Sequence, residues 1–199
     1  MITTNNLIDK ILDRNNLNLA FEKVRKNKGA AGVDAKDIEA TRLHLKESGK
    51  QIIELIKEGK YKPHPVRRVQ IPKPDGGIRN LGIPTITDRV IQQAIVQVLT
   101  PIYEPQFSEF SYGFRPNRSA HQAIEQARQF IESGYNFVVD IDLEKFFDKV
   151  QHDKLMSLIA KTISDKPTLK LIRRYLQAGI MEHGVVTVNR EGTPQGGLC

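Results

Sequence analysis

Cysteine is almost absent from this 199-residue chain. The single Cys199 occupies the last position, so neither a disulfide framework nor a cysteine zinc cluster is available. No apolar run approaches the ~20 residues that span a bilayer, which argues against a membrane protein. Residues Met1 to Asn6 have neither the basic start nor the apolar core of a secretory signal, so a cytoplasmic location is expected. Internal repeats and low-complexity segments are missing as well. What is there is an ordinary soluble composition, 39% hydrophobic and 27% charged. The length suits one large domain or two small ones and allows a real core without staples.

The formal net charge of +7 points to a polyanionic partner, nucleic acid before an anionic membrane surface. Its placement is more informative than its size. Between Lys60 and Arg89 stand seven basic residues (Lys60, Lys62, Arg67, Arg68, Lys73, Arg79, Arg89) against Asp75 and Asp88, a net +5 in one short segment.

The first sixty residues read as short helices. Leu7, Ile8, Ile11 and Leu12 have helical spacing; Asn15 or Asn16 caps a second helix that stops at Gly29. Asp34 is expected to cap a helix to about Ser48, and Ile52, Ile53, Leu55 and Ile56 sit in a further helix ending at Gly59. From Tyr61 the pattern changes. Pro63 and Pro65 break helix, and Val66–Ile71 and Ile78–Ile83 read as strands joined by Pro72-Lys73-Pro74-Asp75-Gly76-Gly77, a strong hairpin turn. Lys73 near the tip and Arg79 on the return strand suit closure over phosphates; taken alone, a solvated edge made basic against aggregation is the reading the hairpin favours.

Thr85 or Thr87 then caps a long helix to about Leu99, and Pro101 and Pro105 mark a loop. Tyr112-Gly113-Phe114-Arg115-Pro116-Asn117-Arg118 mixes aromatics with arginines, which stack bases and hold phosphates, or else pack a tight loop. Ser119 and Gln122 form a capping box for a helix with Ala123, Ile124, Ala127, Phe130 and Ile131 inward. Helices over about Asp153–Ile163 and Pro167–Gly179 and a short strand at Val185–Val188 follow the acidic stretch described next. His152 and His183 are too isolated in the sequence to suggest ligands or bases.

That stretch, Phe137 to Asp148, opens as a strand rich in β-branched residues. Alternation puts Asp140 and Asp142 on one face, about 6.7 Å apart. At an effective dielectric near 20 they repel by about 2.5 kcal/mol, and by about 0.6 kcal/mol in open water. Such a pair favours a cation, and carboxylates with waters and a substrate phosphate are the usual Mg²⁺ arrangement. A half-exposed strand with an acidic wet face is the competing reading.

Taken together, these blocks resemble the N-terminal part of a bacterial reverse transcriptase of the group II intron-encoded, maturase type. The likeness runs from Asn27-Lys28-Gly29-Ala30-Ala31-Gly32-Val33-Asp34 through Arg67–Pro72, Leu81–Pro84, Asp88–Ala94, Ser111–Pro116 and the Asp142 strand to Gly192–Gly197, in family order. The last block favours the intron type over retron, CRISPR-associated or defence relatives. The resemblance implies an α+β fold: right-hand polymerase fingers and partial palm, helix-rich, with a β-hairpin in the fingers and an antiparallel palm sheet cut short. Residues 1–60 would be an N-terminal helical extension of the fingers, 61–135 the fingers, and 136–199 a partial palm.

In this family an aromatic side chain follows the first metal-binding aspartate by five positions, which fits Asp142 and Phe147 rather than Asp140. The resemblance therefore implies that Asp142, helped by the Leu143 backbone carbonyl, holds catalytic Mg²⁺. Phe147 would lie under the sugar of the incoming nucleotide. Lys73 and Arg79, with Arg67 a weaker candidate, would hold its triphosphate, and Gln195 would contact the nucleotide or the nascent pair. Arg68, Tyr112, Arg115 and Arg118 would meet nucleic acid. The implied partners are an RNA template, a DNA primer, dNTPs and group II intron RNA. The family's Tyr-x-Asp-Asp signature has no counterpart here, since the sequence contains no Asp-Asp pair. Little or no synthesis is expected from these 199 residues alone. The alternative is a non-catalytic module that binds intron RNA and aids splicing.

Overall fold

The computed structural model of the protein describes residues 5–72, 74 and 76–193, so Lys73 and Gln195 lie outside the described residues. The chain forms two compact units, residues 1–98 with 145–198, and residues 99–144.

The first unit begins with three helices, α1 (Leu7–Ile11), α2 (Arg14–Lys26) and α3 (Ile38–Lys57). The caps differ from the expected ones. Asp13 caps α2 by accepting from the Asn15 and Asn16 amides, while the Asn16 side chain donates to the carbonyls of Ile11 and Ala94. Asp37, not Asp34, caps α3. The helix expected to stop near Ser48 runs on without a break, because its apolar stripe continues past Gly49 to the buried Ile56. Long-range packing overrides a single unfavourable glycine.

The hairpin forms as the turn chemistry requires. β1 (Val66–Pro72) pairs antiparallel with β2 (Ile78–Ile83), Arg68 opposite Gly82 and Ile71 opposite Arg79. Next come α4 (Ile86–Tyr103), which carries Pro101 within it instead of ending before it, and α5 (Ala120–Glu132). After them, α6 (His152–Thr162) and α7 (Lys166–Leu176) lead to a small hairpin, β3 (Ile180–Glu182) and β4 (Val185–Thr187). The sequence pattern does not announce β3. It pairs parallel with β1, giving a mixed sheet of order β2-β1-β3-β4. The core of this unit is built from Leu7, Ile11, Ala20, Ile56, Val90, Ala94, Ile163 and Leu171.

The second unit departs further from expectation. The Ser119–Gln122 capping box is present, yet no residue of α5 is buried, and Ile124 and Ile131 are exposed. The acidic stretch is not a strand here: residues 135–143 have extended or irregular backbone without ladder pairing, and Phe137 to Leu143 are exposed on both faces. Strand propensity is a preference for a pleated, half-buried surface. Among the described residues no other strand supplies the hydrogen bonds that would realise it. Inside the unit, Phe130 packs on Phe110 and Tyr135, with ring centroids 5.7 and 5.8 Å apart.

One buried carboxylate ties the first unit together. Asp88, in the first turn of α4, is 1% exposed. Its Oδ1 accepts from the hydroxyls of Tyr61 (2.7 Å) and of Tyr175 on α7 (3.2 Å). Its Oδ2 accepts from the Thr85 hydroxyl (2.6 Å) and the His64 amide (3.2 Å). The Thr85 hydroxyl also accepts from the Asp88 amide, capping α4. Burial and the nearby carboxylate push both tyrosines well above their ordinary pKa, so they remain donors. The His64 ring, with Nδ1 3.4 Å from Oδ2, is raised by its hydrogen bond to Asp88, against a smaller lowering from burial.

Truncating Asp88 leaves four donors without their acceptor, buried at Tyr61 and Thr85 and part-buried at His64 and Tyr175. Asp88→Ala is expected to lower stability by about 3 kcal/mol or more, read as a shift in the urea midpoint. The raised folded-state pKa of His64 means that its ring stabilises the fold fully below its unfolded pKa near 6.5. That contribution disappears as pH rises through the higher folded value. Stability should therefore fall more steeply with pH above about 6.5 in the wild-type chain than in His64→Gln, and parallel pH profiles would remove His64 from this role.

Candidate active site

The hairpin is anchored at its base by two guanidinium groups. Arg67 on β1 donates twice to the Ala31 carbonyl, at 3.2 and 2.8 Å. Arg89 on α4 donates to the neighbouring Ala30 carbonyl at 2.5 Å. The loop they hold must come close: a Cβ on Gly32 would lie 2.6 Å from the Thr85 backbone. The Gly29–Asp34 block is therefore a latched loop, and Arg67, a triphosphate candidate by resemblance, spends its donors on it.

Strand alternation separates the hairpin cations. Arg67 shares a face with Arg79, which is exposed; Arg68 and Asn80 lie on the other face. That second face borders a polar cavity of about 340 Å³ whose remaining wall includes Asp148, Asn189 and Gly192.

Asp148 belongs to a 3₁₀ turn, Phe146–Lys149, in which Phe147 is half exposed and packs edge-on against Phe146 at 5.4 Å. The turn is fastened to a distant part of the sequence. The Thr193 amide donates to the Phe147 carbonyl at 2.7 Å, and the Gly192 amide to the Val150 carbonyl at 2.8 Å. Gly192 has φ +78°, and a Cβ there would sit 2.6 Å from the Asp148 carbonyl oxygen. His152, isolated in the sequence, is buried in the fold and donates from Nε2 to the Gly192 carbonyl at 2.8 Å. The fold thus brings the Phe147 turn beside Gly192 and Thr193, forty-odd residues away in sequence, and Asp148, Gly192 and Thr193 share the cavity wall with Arg68.

In the second unit Asp142 is exposed and makes no hydrogen bond or ion pair among the described residues. Among the described residues no three His, Cys, Asp or Glu side chains converge on a metal position. The exposed carboxylate of Asp142 and the neighbouring Leu143 carbonyl are hard oxygen donors, the kind a divalent cation such as Mg²⁺ takes together with phosphates and waters. Arg115 is turned inward. It pairs with Glu104 at 2.8 Å, donates to the carbonyls of Ser108 and Ser111 at 2.6 and 2.9 Å, and lies 5.3 Å from the Phe107 ring. Arg118 instead stacks over Tyr112, 5.5 Å from its ring, leaving an exposed cation–π pair.

Sequence reasoning misses Asp88 and His64, since an acidic residue in a first helical turn normally reads as a dipole partner. Polar Thr85 three residues ahead is the available hint.

A family model for reverse transcriptase (RNA-dependent DNA polymerase) matches residues 71–199. The chain belongs to the reverse transcriptase family. Over 181 residues it is 39% identical to the group II intron-encoded protein LtrA of Lactococcus lactis subsp. cremoris, covering 90% of this chain and 30% of that one. Over 144 residues it is 41% identical to protein YkfC of Escherichia coli (strain K12), covering 70% and 38%. A chain of the solved partial Cas6-RT-Cas1–Cas2 complex matches with a TM-score of 0.63 at 23% identity, over 96% of this chain and 32% of that one, a likeness of fold alone. This reverse transcriptase chain thus spans about a third of the length of these relatives. No helix among the described residues is long and apolar enough to cross a membrane.

Proposed function

We propose that the chain supplies the fingers and the first part of the palm of a group II intron reverse transcriptase, which adds dNTPs to a DNA primer on an RNA template. The observation that carries this is the 39% identity to an intron-encoded protein across 90% of the chain. Residues 1–60 act as a helical extension of the fingers, 61–135 as the fingers and 136–199 as part of the palm, in the cytoplasm.

Asp142, with the Leu143 carbonyl, would hold Mg²⁺, which when bound lowers the cost of charge on the reacting phosphate oxygens. The residues of the chain do the positioning on which phosphoryl transfer mostly depends. Phe147 offers a flat apolar face to a sugar. Lys73 and Arg79 neutralise triphosphate from the hairpin, and Gln195 reaches the nucleotide or nascent pair. Arg68 joins them from the cavity side, and its placement beside the Phe147 turn supports a contact with substrate or template phosphate. Arg67 and Arg115 act indirectly, by holding the loops that carry their neighbours.

A second reading, that the chain also grips intron RNA without chemistry, is supported by the net +5 of the Lys60–Arg89 segment and by the exposed Arg118–Tyr112 pair.

In a polymerase containing these residues with the remainder of the palm, Asp142→Ala should cut primer extension by about a hundredfold or more, the loss typical of a removed charge-stabilising group, while leaving RNA affinity unchanged. Arg68→Ala with Arg118→Ala should weaken single-stranded RNA binding. The log–log slope of affinity against salt should flatten by about 0.7 for each phosphate no longer neutralised. Unchanged extension by Asp142→Ala would refute the catalytic reading. A salt slope that both arginine substitutions leave alone would refute the RNA reading.

A further inference from the structure

A large cavity of the first unit lies outside the site just described. It is an open groove of about 650 Å³ between α2 and α3, floored by Val90 and Ile91 of α4. Its α3 wall runs along one helical face from Arg42 to Ile56, about 21 Å, and its α2 wall from Arg14 to Glu22, about 12 Å. The lining is apolar: Leu17 and Phe21 on one side, Leu45, Ile52 and Ile53 on the other, all only half-buried. The rim is cationic. Arg42, Lys46 and Lys50 recur every four residues along α3, and Arg14 faces them from α2. The one acid in the lining, Glu22, is taken up by Arg25 at 2.6 Å, and Arg42 pairs with Glu39 at 3.7 Å on the exposed surface, whereas no carboxylate of the described residues pairs with Arg14, Lys46 or Lys50.

Gly49 sharpens the picture. It stands mid-helix in α3 on the apolar stripe, one turn after Leu45, where glycine costs about 1 kcal/mol relative to alanine. Among the described residues nothing requires its small size, because a Cβ at this position meets no atom within 4 Å. A costly gap in an apolar row, facing open space, suits a backbone that approaches from outside.

We propose that this groove receives an acidic amphipathic helix of a partner protein. The α3 wall has the length of about fourteen helical residues and the α2 wall of about eight. An apolar stripe at i, i+3, i+4 and i+7 would fill the trough, with Asp or Glu against Arg42, Lys46 and Lys50 and its closest approach over Gly49. The rim cations could meet phosphates, but the trough between them is apolar and aliphatic along most of its length, which favours a protein helix over RNA as occupant.

The test is selection from a phage-displayed library of helix-biased peptides of about sixteen residues on the full 199-residue chain, followed by fluorescence anisotropy with the selected peptides. The expected winners carry the apolar spacing flanked by Asp or Glu. Gly49→Leu and the pair Lys46→Glu/Lys50→Glu should each weaken them about tenfold or more, with circular dichroism unchanged. Gly49→Ala should raise the thermal midpoint, which confirms that the glycine serves no internal contact. The proposal is overturned if no such peptides are enriched, or if the winners ignore Gly49→Leu. It is overturned equally if sedimentation shows a self-associated form dispersed by these substitutions, which assigns the groove to a second copy, or if the same substitutions weaken single-stranded RNA instead.

Discussion

The first unit depends on the burial of one carboxylate. Asp88 brings its charge into the interior and is compensated by donors from three separate places: the Tyr61–His64 segment before β1, Thr85 at the start of α4, and Tyr175 on α7. A carboxylate so placed is stable only when every lone pair finds a donor, so the three places are held in one arrangement. Arg89, the next residue, performs the converse task, using a cation to collect the Ala30 carbonyl while Arg67 collects that of Ala31. The base of the basic hairpin is set by these two guanidinium groups, and with it the face on which Arg68 is presented.

Much of the local structure was legible because it rests on local chemistry. Pro72 to Gly77 permits little besides a turn, and the strands on either side form where alternation places them. The capping box at Ser119 appears as written. What could not be read depends on partners distant in sequence. The parallel pairing of β1 with β3 joins residues more than a hundred positions apart. The continuity of α3 through Gly49 comes from packing on its apolar side. The stretch from Phe137 to Leu143 shows the limit most clearly, since its residues have every strand preference and, among the described residues, no strand to pair with. The exposed apolar face of α5 belongs to the same case: periodicity specifies which side wants burial, not what buries it.

The candidate site was legible as a set of residue types and less so as a set of roles. Arginine illustrates this. By sequence, Arg67, Arg68, Arg115 and Arg118 all read as basic residues available to phosphates. In the fold, Arg67 and Arg115 satisfy carbonyls and a carboxylate close to their own loops, while Arg68 borders the cavity beside the Phe147 turn and Arg118 stays exposed over Tyr112. The fork of the guanidinium serves both uses, and only the surrounding acceptors decide between them. The fastening of Phe147 to Thr193 likewise joins two blocks that composition and periodicity alone do not bring together.

The polymerase reading rests on the proposal that the carboxylate of Asp142, rather than that of Asp140, holds the metal. Paramagnetic broadening of backbone amide signals by substoichiometric Mn²⁺ tests it on the chain itself. The account predicts that signals around residues 140–144 broaden first and that Asp142→Asn abolishes the effect while Asp140→Asn only weakens it. Broadening spread evenly over surface carboxylates, or broadening that survives Asp142→Asn, would contradict it.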